Sequence, residues 1–216
     1  MTGEAGDSAA FRLNILLEEA GLEALPGEQA SRYEQYLSLL IRWNARINLT
    51  AIRDEDGILS RHFVESIACA RALPAGTATL LDFGSGAGFP GIPIALSRPE
   101  IAVTLAESNG RKAAFLNEAV RVLGLPAKVD SVRAETLASQ FDSVTLRAVD
   151  RMTQAVEAAA RRVRPGRWLV LMTTERELKR LKPAAGPEFS WTGIVQLPGG
   201  RNRIVALGKR EISLPA

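Results

Sequence analysis

Ala78-Thr79-Leu80-Leu81-Asp82-Phe83-Gly84-Ser85-Gly86-Ala87-Gly88-Phe89-Pro90-Gly91 decides how this chain is read. A short apolar run at Leu80 and Leu81 ends on Asp82 and opens into four glycines, and residues 92–96 behind them have helical character. The order is strand, tight turn, helix. Glycines at these spacings let the backbone take positive φ and approach a ligand with no Cβ in the way, and the helix presents free N–H groups at its start.

The spacing Gly86-x-Gly88-x-x-Gly91 passes as a dinucleotide-binding fingerprint, on its own a weak signal. Asp82 shifts the balance, because a carboxylate at the strand tip repels a pyrophosphate, whereas S-adenosyl-L-methionine has no phosphate and presents an ammonium and a sulfonium. The overlapping Asp82-x-Gly84-x-Gly86-x-Gly88 is similar to the pattern of Rossmann-like methyltransferases that use this cofactor. The resemblance makes Asp82, Gly84, Ser85, Gly86, Gly88 and Phe89 the expected cofactor cradle. An NAD(P)-dependent oxidoreductase is the competing reading.

Composition bounds the rest. With 216 residues, 46% of them hydrophobic, the chain has material for one large domain or a domain with an appendage. No apolar run approaches the ~18 residues of a membrane span, and the N-terminus lacks a basic, apolar leader. The expectation is a cytoplasmic protein without a membrane partner. Cys69 is the single cysteine and His62 the single histidine, which excludes an internal disulfide and argues against a metal site. The net charge of +3 hides an asymmetry: residues 1–76 carry −4 and residues 77–216 carry +7. From Arg147 onward, 14 basic residues face 6 acidic ones, which suits a polyanionic partner, nucleic acid first. An ordinary solvated arginine surface is the alternative.

Along the chain, residues 1–8 read as disordered, and helices are expected over 11–20, from Gly27 to Trp43, and from an N-capping Ser60 to Leu73. Residues 1–75 thus form a helical annex packed on a catalytic domain of residues 76–216. After the glycine turn come strands at 101–105, 128–132, 142–148 and 167–172, with helices at 111–123 and 152–163 between them. Such alternation predicts a mostly parallel twisted sheet covered by helices on both faces. Residues 189–197 and 204–207 flank Pro198-Gly199-Gly200 and read as an antiparallel hairpin at the sheet edge. The fold class is α/β, Rossmann-like.

In such a sheet ligands lie beyond the carboxyl ends of the strands. Glu107, at the end of the second strand, is placed to accept hydrogen bonds from two ribose hydroxyls, and Ser108 adjoins it. Ala134 and Glu135 then lie beside the adenine. Arg147, at the end of the fourth strand, is either a fork for a cofactor carboxylate or substrate phosphate, or a surface arginine.

The strand ends carry no cysteine for pyrimidine-carbon chemistry, and Leu146-Arg147-Ala148-Val149 stands where exocyclic-amine methylases carry an Asn/Asp-Pro-Pro-Tyr motif. A ring nitrogen with a free lone pair needs positioning and exclusion of water rather than a base. His62 is read as a positioning group, or as a packed histidine of the annex.

Trp43-Asn44-x-x-Ile47-Asn48-Leu49-Thr50, Arg61-His62-x-x-Glu65-Ser66, the run from Asp82 to Pro93, Glu107-Ser108, Arg133-Ala134-Glu135, Arg147-Ala148 and Arg203 together resemble the ribosomal RNA small subunit methyltransferase G family, also called glucose-inhibited division protein B. The resemblance implies methyl transfer to N7 of a guanine in 16S ribosomal RNA, free or in the small subunit; a non-catalytic RNA-binding ribosome assembly factor that retains the cofactor fold is the other alternative beside the oxidoreductase. The resemblance also implies that Asn48, His62, Arg147 and Arg203 line the cofactor and RNA side of the cleft, in a protein expected to be monomeric. Two departures stand out. Glu65 replaces the usual Asp, a one-methylene change that a surface contact would tolerate, and Met172-Thr173-Thr174 replaces the usual Lys-Gly, which puts any phosphate contact of that lysine in doubt.

Overall fold

The computed structural model describes residues 8–200 and 202–212. The disorder expected for residues 1–8 lies outside these, apart from Ser8, whose hydroxyl accepts from Phe11 N at 3.2 Å and caps the first helix. That helix, α1 (Ala9–Glu19), buries Leu13 and Leu17 at a spacing of one turn, and α2 (Gly27–Asn44) buries Tyr33, Tyr36, Leu37 and Leu40 on one stripe.

The third helical stretch begins earlier than expected. Asp54 is its cap, with Oδ2 accepting from Gly57 N at 2.7 Å, and α3 (Glu55–Ile58) passes through a π-helical turn (Leu59–Val64) into α4 (Glu65–Ala72). Ser60 lies inside this run and its hydroxyl donates to Asp56 O at 2.7 Å, a bond back to the preceding turn. Leu73 turns extended ahead of Pro74, as the proline ring requires.

Among the described residues seven strands form one sheet: β1 (Thr79–Phe83), β2 (Ala102–Ala106), β3 (Ala127–Asp130), β4 (Phe141–Arg147), β5 (Val163–Thr174), β6 (Phe189–Gln196) and β7 (Arg203–Arg210), in the order β3-β2-β1-β4-β5-β7-β6. The first five pair in parallel; β7 runs antiparallel between β5 and β6, as the hairpin reading predicts. Helices α5 (Gly91–Ser97), α6 (Gly110–Val122) and α7 (Met152–Ala160) provide crossovers. Strand β5 starts at Val163 rather than 167, because Pro165-Gly166 makes a bulge within the strand: Phe141 opposes Val163 and Ser143 opposes Trp168.

Alternation of side chains divides the core. Leu80, Val170, Met172 and Val205 pack with the N-terminal helices, α5 and α6 on one face. Leu81, Leu169, Leu171 and Ala206 pack with α7 and α8 (Glu175–Ala185) on the other. The periodicity reading passes over α8, since Leu178 and Leu181 are its main buried anchors in an otherwise charged segment containing Pro183. Its start was legible: Thr174 Oγ1 accepts from Glu177 N at 3.2 Å, the first half of a Thr-x-x-Glu capping box. Thr174 of the divergent Met172-Thr173-Thr174 segment therefore caps a helix. Among the described residues no helix is long and apolar enough to cross a membrane, and no group of three His, Cys, Asp or Glu side chains is arranged to hold a metal ion.

Candidate active site

The parallel strands leave a cavity of about 510 Å³ at their carboxyl ends, lined by the glycine turn, Glu107, Ser108, Lys112, residues 132–135, residues 147–150 and, from the annex, Leu49, Thr50 and His62. Its size suits a nucleoside-sized ligand.

At one end the turn is held from both sides. Glu107 Oε2 accepts from Gly86 N at 2.9 Å and Oε1 accepts from Asn109 N at 2.7 Å, so one carboxylate ties the turn after β1 to the start of α6. Each oxygen retains acceptor capacity, since an ionised carboxylate offers about four acceptor positions. Behind the turn, Tyr36 Oη donates to Ala87 O at 2.5 Å and Tyr33 Oη donates to Pro93 O at 3.1 Å. Residue types alone point to neither tyrosine as a support of the site; their place on the buried stripe of α2 is the only trace.

Asp82 does not reach the cavity. Its side chain is buried, with Oδ2 accepting from Gly91 N at 3.1 Å and Oδ1 from Thr145 Oγ1 at 3.0 Å. Burial pushes its carboxyl up to about 6, opposed by hydrogen bonds from Ser85, Thr145 and Gly91. Where the sequence reading expects this acid to face the cofactor, its carboxylate is turned inward and closes the glycine loop from within. Gly88 also lies off the cavity. Its φ is +91°, and a Cβ there would stand 2.5 Å from Ile92 Cδ1 and 2.8 Å from Tyr36 Oη, so the position is glycine for packing.

Gly84, Ser85, Gly86, Phe89, Glu107, Ser108, Ala134 and Glu135 do line the cavity. The Glu135 carbonyl, however, already accepts from Arg162 Nη2 at 2.9 Å.

The opposite end is assembled from four segments. Arg147 closes β4; its Nη2 donates to Arg61 O at 2.6 Å and to Glu65 Oε2 at 3.1 Å, and its guanidinium carbon lies 6.0 Å from the Phe89 ring centroid. Its side chain is only 15% exposed, which disposes of the surface-arginine alternative. Arg203, at the start of β7, places Nη2 2.6 Å from Glu65 Oε1. Glu65 thus bridges two arginines; burial pushes its carboxyl above the usual value while Arg147, Arg203 and Arg61 pull it down. Sequence reasoning treats Glu65 as a tolerable surface change, whereas the structure buries it at the centre of the network. Arg203 itself does not line the cavity.

His62 lies in the π-helical turn, stacked on Phe89 with ring centroids 4.6 Å apart and planes 19° from parallel. Its Nε2 is 2.7 Å from Thr50 Oγ1. Burial first, then Arg147, Arg61 and Arg203, lower its pKa to about 3, so the ring is neutral at physiological pH. In the turn between β4 and α7 the backbone takes positive φ at Ala148 (49°) and Arg151 (51°), the first of them in the cavity wall. Strain of this kind concentrates where a site fixes the chain, and no residue pattern announces it. Asn48 is outside the cavity; its Oδ1 accepts from Arg53 Nη2 at 2.8 Å.

The parallel sheet with one inserted antiparallel strand, carrying a glycine turn and an acid at the ends of its first two strands, defines a Rossmann-like methyltransferase fold. A solved structure of similar architecture is the T. thermophilus 16S rRNA N2 G1207 methyltransferase in complex with AdoMet and guanosine, with a TM-score of 0.53 and 19% identity over 70% of this chain and 40% of that one. The family model described as rRNA small subunit methyltransferase G matches residues 29–189, and the chain belongs to that family. Relatives named ribosomal RNA small subunit methyltransferase G include those of Xanthomonas euvesicatoria pv. vesicatoria, 43% identical over 71% of this chain and 74% of the relative, and of Stenotrophomonas maltophilia strain K279a, 44% identical over 76% and 77%. These likenesses lend nothing to the oxidoreductase alternative.

Proposed function

We propose that the chain is an S-adenosyl-L-methionine-dependent methyltransferase that modifies N7 of a guanine in 16S ribosomal RNA, acting in the cytoplasm as a monomer and without a metal. The observation that supports it most is the Glu107 carboxylate, buried, bonded to two backbone N–H groups across the turn, and still able to accept from a ribose at the cavity wall. S-adenosyl-L-methionine supplies an electrophilic methyl on a sulfonium.

The protein's own part is binding and alignment. Glu107 and the turn backbone hold the nucleoside end, with Ala134 offering an apolar wall to the base. The turn of Ala148 to Asp150 shapes the wall beyond Arg147. The stacked His62 and Phe89 present an aromatic surface toward the acceptor end, where a purine ring finds a flat partner. His62 contributes as a neutral, fixed ring, its Nε2 engaged with Thr50. No proton has to leave N7 before it attacks, so the absence of a histidine poised near neutrality is consistent with this acceptor. Catalysis then rests on holding nitrogen, methyl and sulfur in line and on keeping water out.

Small subunits from a strain lacking the enzyme, incubated with the protein and methyl-labelled cofactor, test the reading. The expected result is one labelled nucleotide in 16S RNA whose strand breaks after borohydride and aniline treatment, the signature of 7-methylguanosine. Label that resists this cleavage would contradict the N7 assignment, and unlabelled RNA would contradict the activity.

A further inference from the structure

Beside the cofactor cavity, and sharing Lys112 with it, lies a second depression of about 400 Å³. Arg46, Arg53, Arg111 and Lys112 line it together with three asparagines, and among the described residues no carboxylate contributes to its wall. None of these four cations forms an ion pair with a described residue, in contrast to Arg12, Arg42, Arg61, Arg98, Arg147 and Arg203.

The nearest acids in the chain are otherwise engaged. Asp54 caps α3, and Glu107 accepts from Gly86 and Asn109. Arg53 is also fixed in place: Nη1 donates to Asn44 O at 2.9 Å and Nη2 donates to Asn48 Oδ1 at 2.8 Å. Four like charges around one hollow repel one another unless an anion sits among them. A guanidinium held by two neutral acceptors keeps its full charge and its remaining N–H donors for that anion.

We propose that this depression binds phosphodiester groups of the RNA strand next to the nucleotide that enters the cofactor cavity, with Arg46 and Arg111 as the anion contacts and Asn48 as the residue that orients Arg53. The proposal rests on the methyltransferase reading above and adds to it the path of the RNA backbone. Asn48, expected from the family resemblance to line the cleft, is thereby given its role in the neighbouring site.

Arg46 and Arg111 are exposed and their side chains hold no other element in place, so they are suited to substitution. The test is methyl transfer to small ribosomal subunits, measured at several salt concentrations, for the wild type and for the double variant Arg46→Gln/Arg111→Gln. The expected result is a KM for subunits raised about tenfold at moderate salt, kcat unchanged within about twofold, and a salt slope of log affinity reduced by about 1.4, the value for two phosphate contacts on single-stranded RNA. S-adenosylhomocysteine affinity stays at the wild-type value. A single Arg46→Glu variant gives the same pattern if the double variant folds poorly. Wild-type KM and salt slope in both variants, with cofactor affinity retained, would overturn the phosphate site and leave the methyltransferase reading standing. A wild-type protein that transfers no methyl to subunits would overturn that reading and the site with it.

Discussion

At the Glu107 end of the cavity the polar groups that fix the geometry are backbone atoms of one turn and one helix start; at the Arg147 end they are side chains brought from the π-helical turn, α4, β4 and β7. The first arrangement is local, and a substitution there disturbs a loop whose outer frame still stands on Tyr33 and Tyr36. The second is non-local and rests on one carboxylate. Removing Glu65 leaves the largely covered Arg147 and Arg203 without their anion, while removing Glu107 leaves two N–H groups at a cavity open to water.

This contrast orders the expected effects. Glu65→Ala should cost about 3–5 kcal/mol of stability in urea unfolding, the scale for breaking a buried ion network by removing one partner. A loss below about 1 kcal/mol would show that the two arginines find water instead. Gly88→Ala should cost about 2–4 kcal/mol, because the new methyl meets Ile92 and Tyr36 at a positive φ. Gly86→Ala at φ +57° meets only the Gly84 carbonyl at an ordinary 3.9 Å and should cost about 1 kcal/mol, with its larger effect on cofactor affinity. Equal losses at the two glycines would erase the distinction between the packing and cavity positions.

Tyr36→Phe removes the donor to Ala87 O and should lower stability by about 1–2 kcal/mol without altering the RNA salt slope. The smallest effect is that of pH on the rate. His62 is held at about 3 against an ordinary 6.5, so the unfolded chain binds the extra proton between those values. The His62 contribution to stability therefore rises with pH from about 3 to about 6.5 and is flat above, opposed by Asp82, whose raised carboxyl makes its own contribution fall as pH climbs to about 6; the methyl-transfer rate should show no step from His62 between about pH 7 and 9. A rate step in that range that disappears in His62→Gln would show the ring titrating after all.

The same contrast explains what was legible in the residues. The glycine turn, the acid at the end of β2 and the parallel alternation are written in short spacings, and the structure places them together at one sheet end. Asp82 was legible as important but not for its reason: spacing shows that an acid precedes the glycines, not that its carboxylate points inward to Gly91 N and Thr145. Glu65 looked like a tolerated surface change because the two arginines that surround it lie 82 and 138 positions further along the chain.

The charge count suits an RNA substrate of the kind the family implies, but it does not locate the contacts. Within the C-terminal excess, Arg164 and Arg167 pair with Asp142, Arg161 with Glu157 and Arg180 with Glu177. The hollow ringed by unpaired cations draws Arg46 and Arg53 from the half with net charge −4. A count along the chain does not reveal which charges are already balanced in space.

The central claim is that the Glu107 turn holds a methyl-donor nucleoside. Calorimetric titration of S-adenosylhomocysteine into the wild type and Glu107→Ala tests it most directly. The account predicts one site per chain in the wild type and a loss of about 1–3 kcal/mol of binding free energy in the variant. No binding by the wild type, or equal affinity in the two proteins, would contradict it.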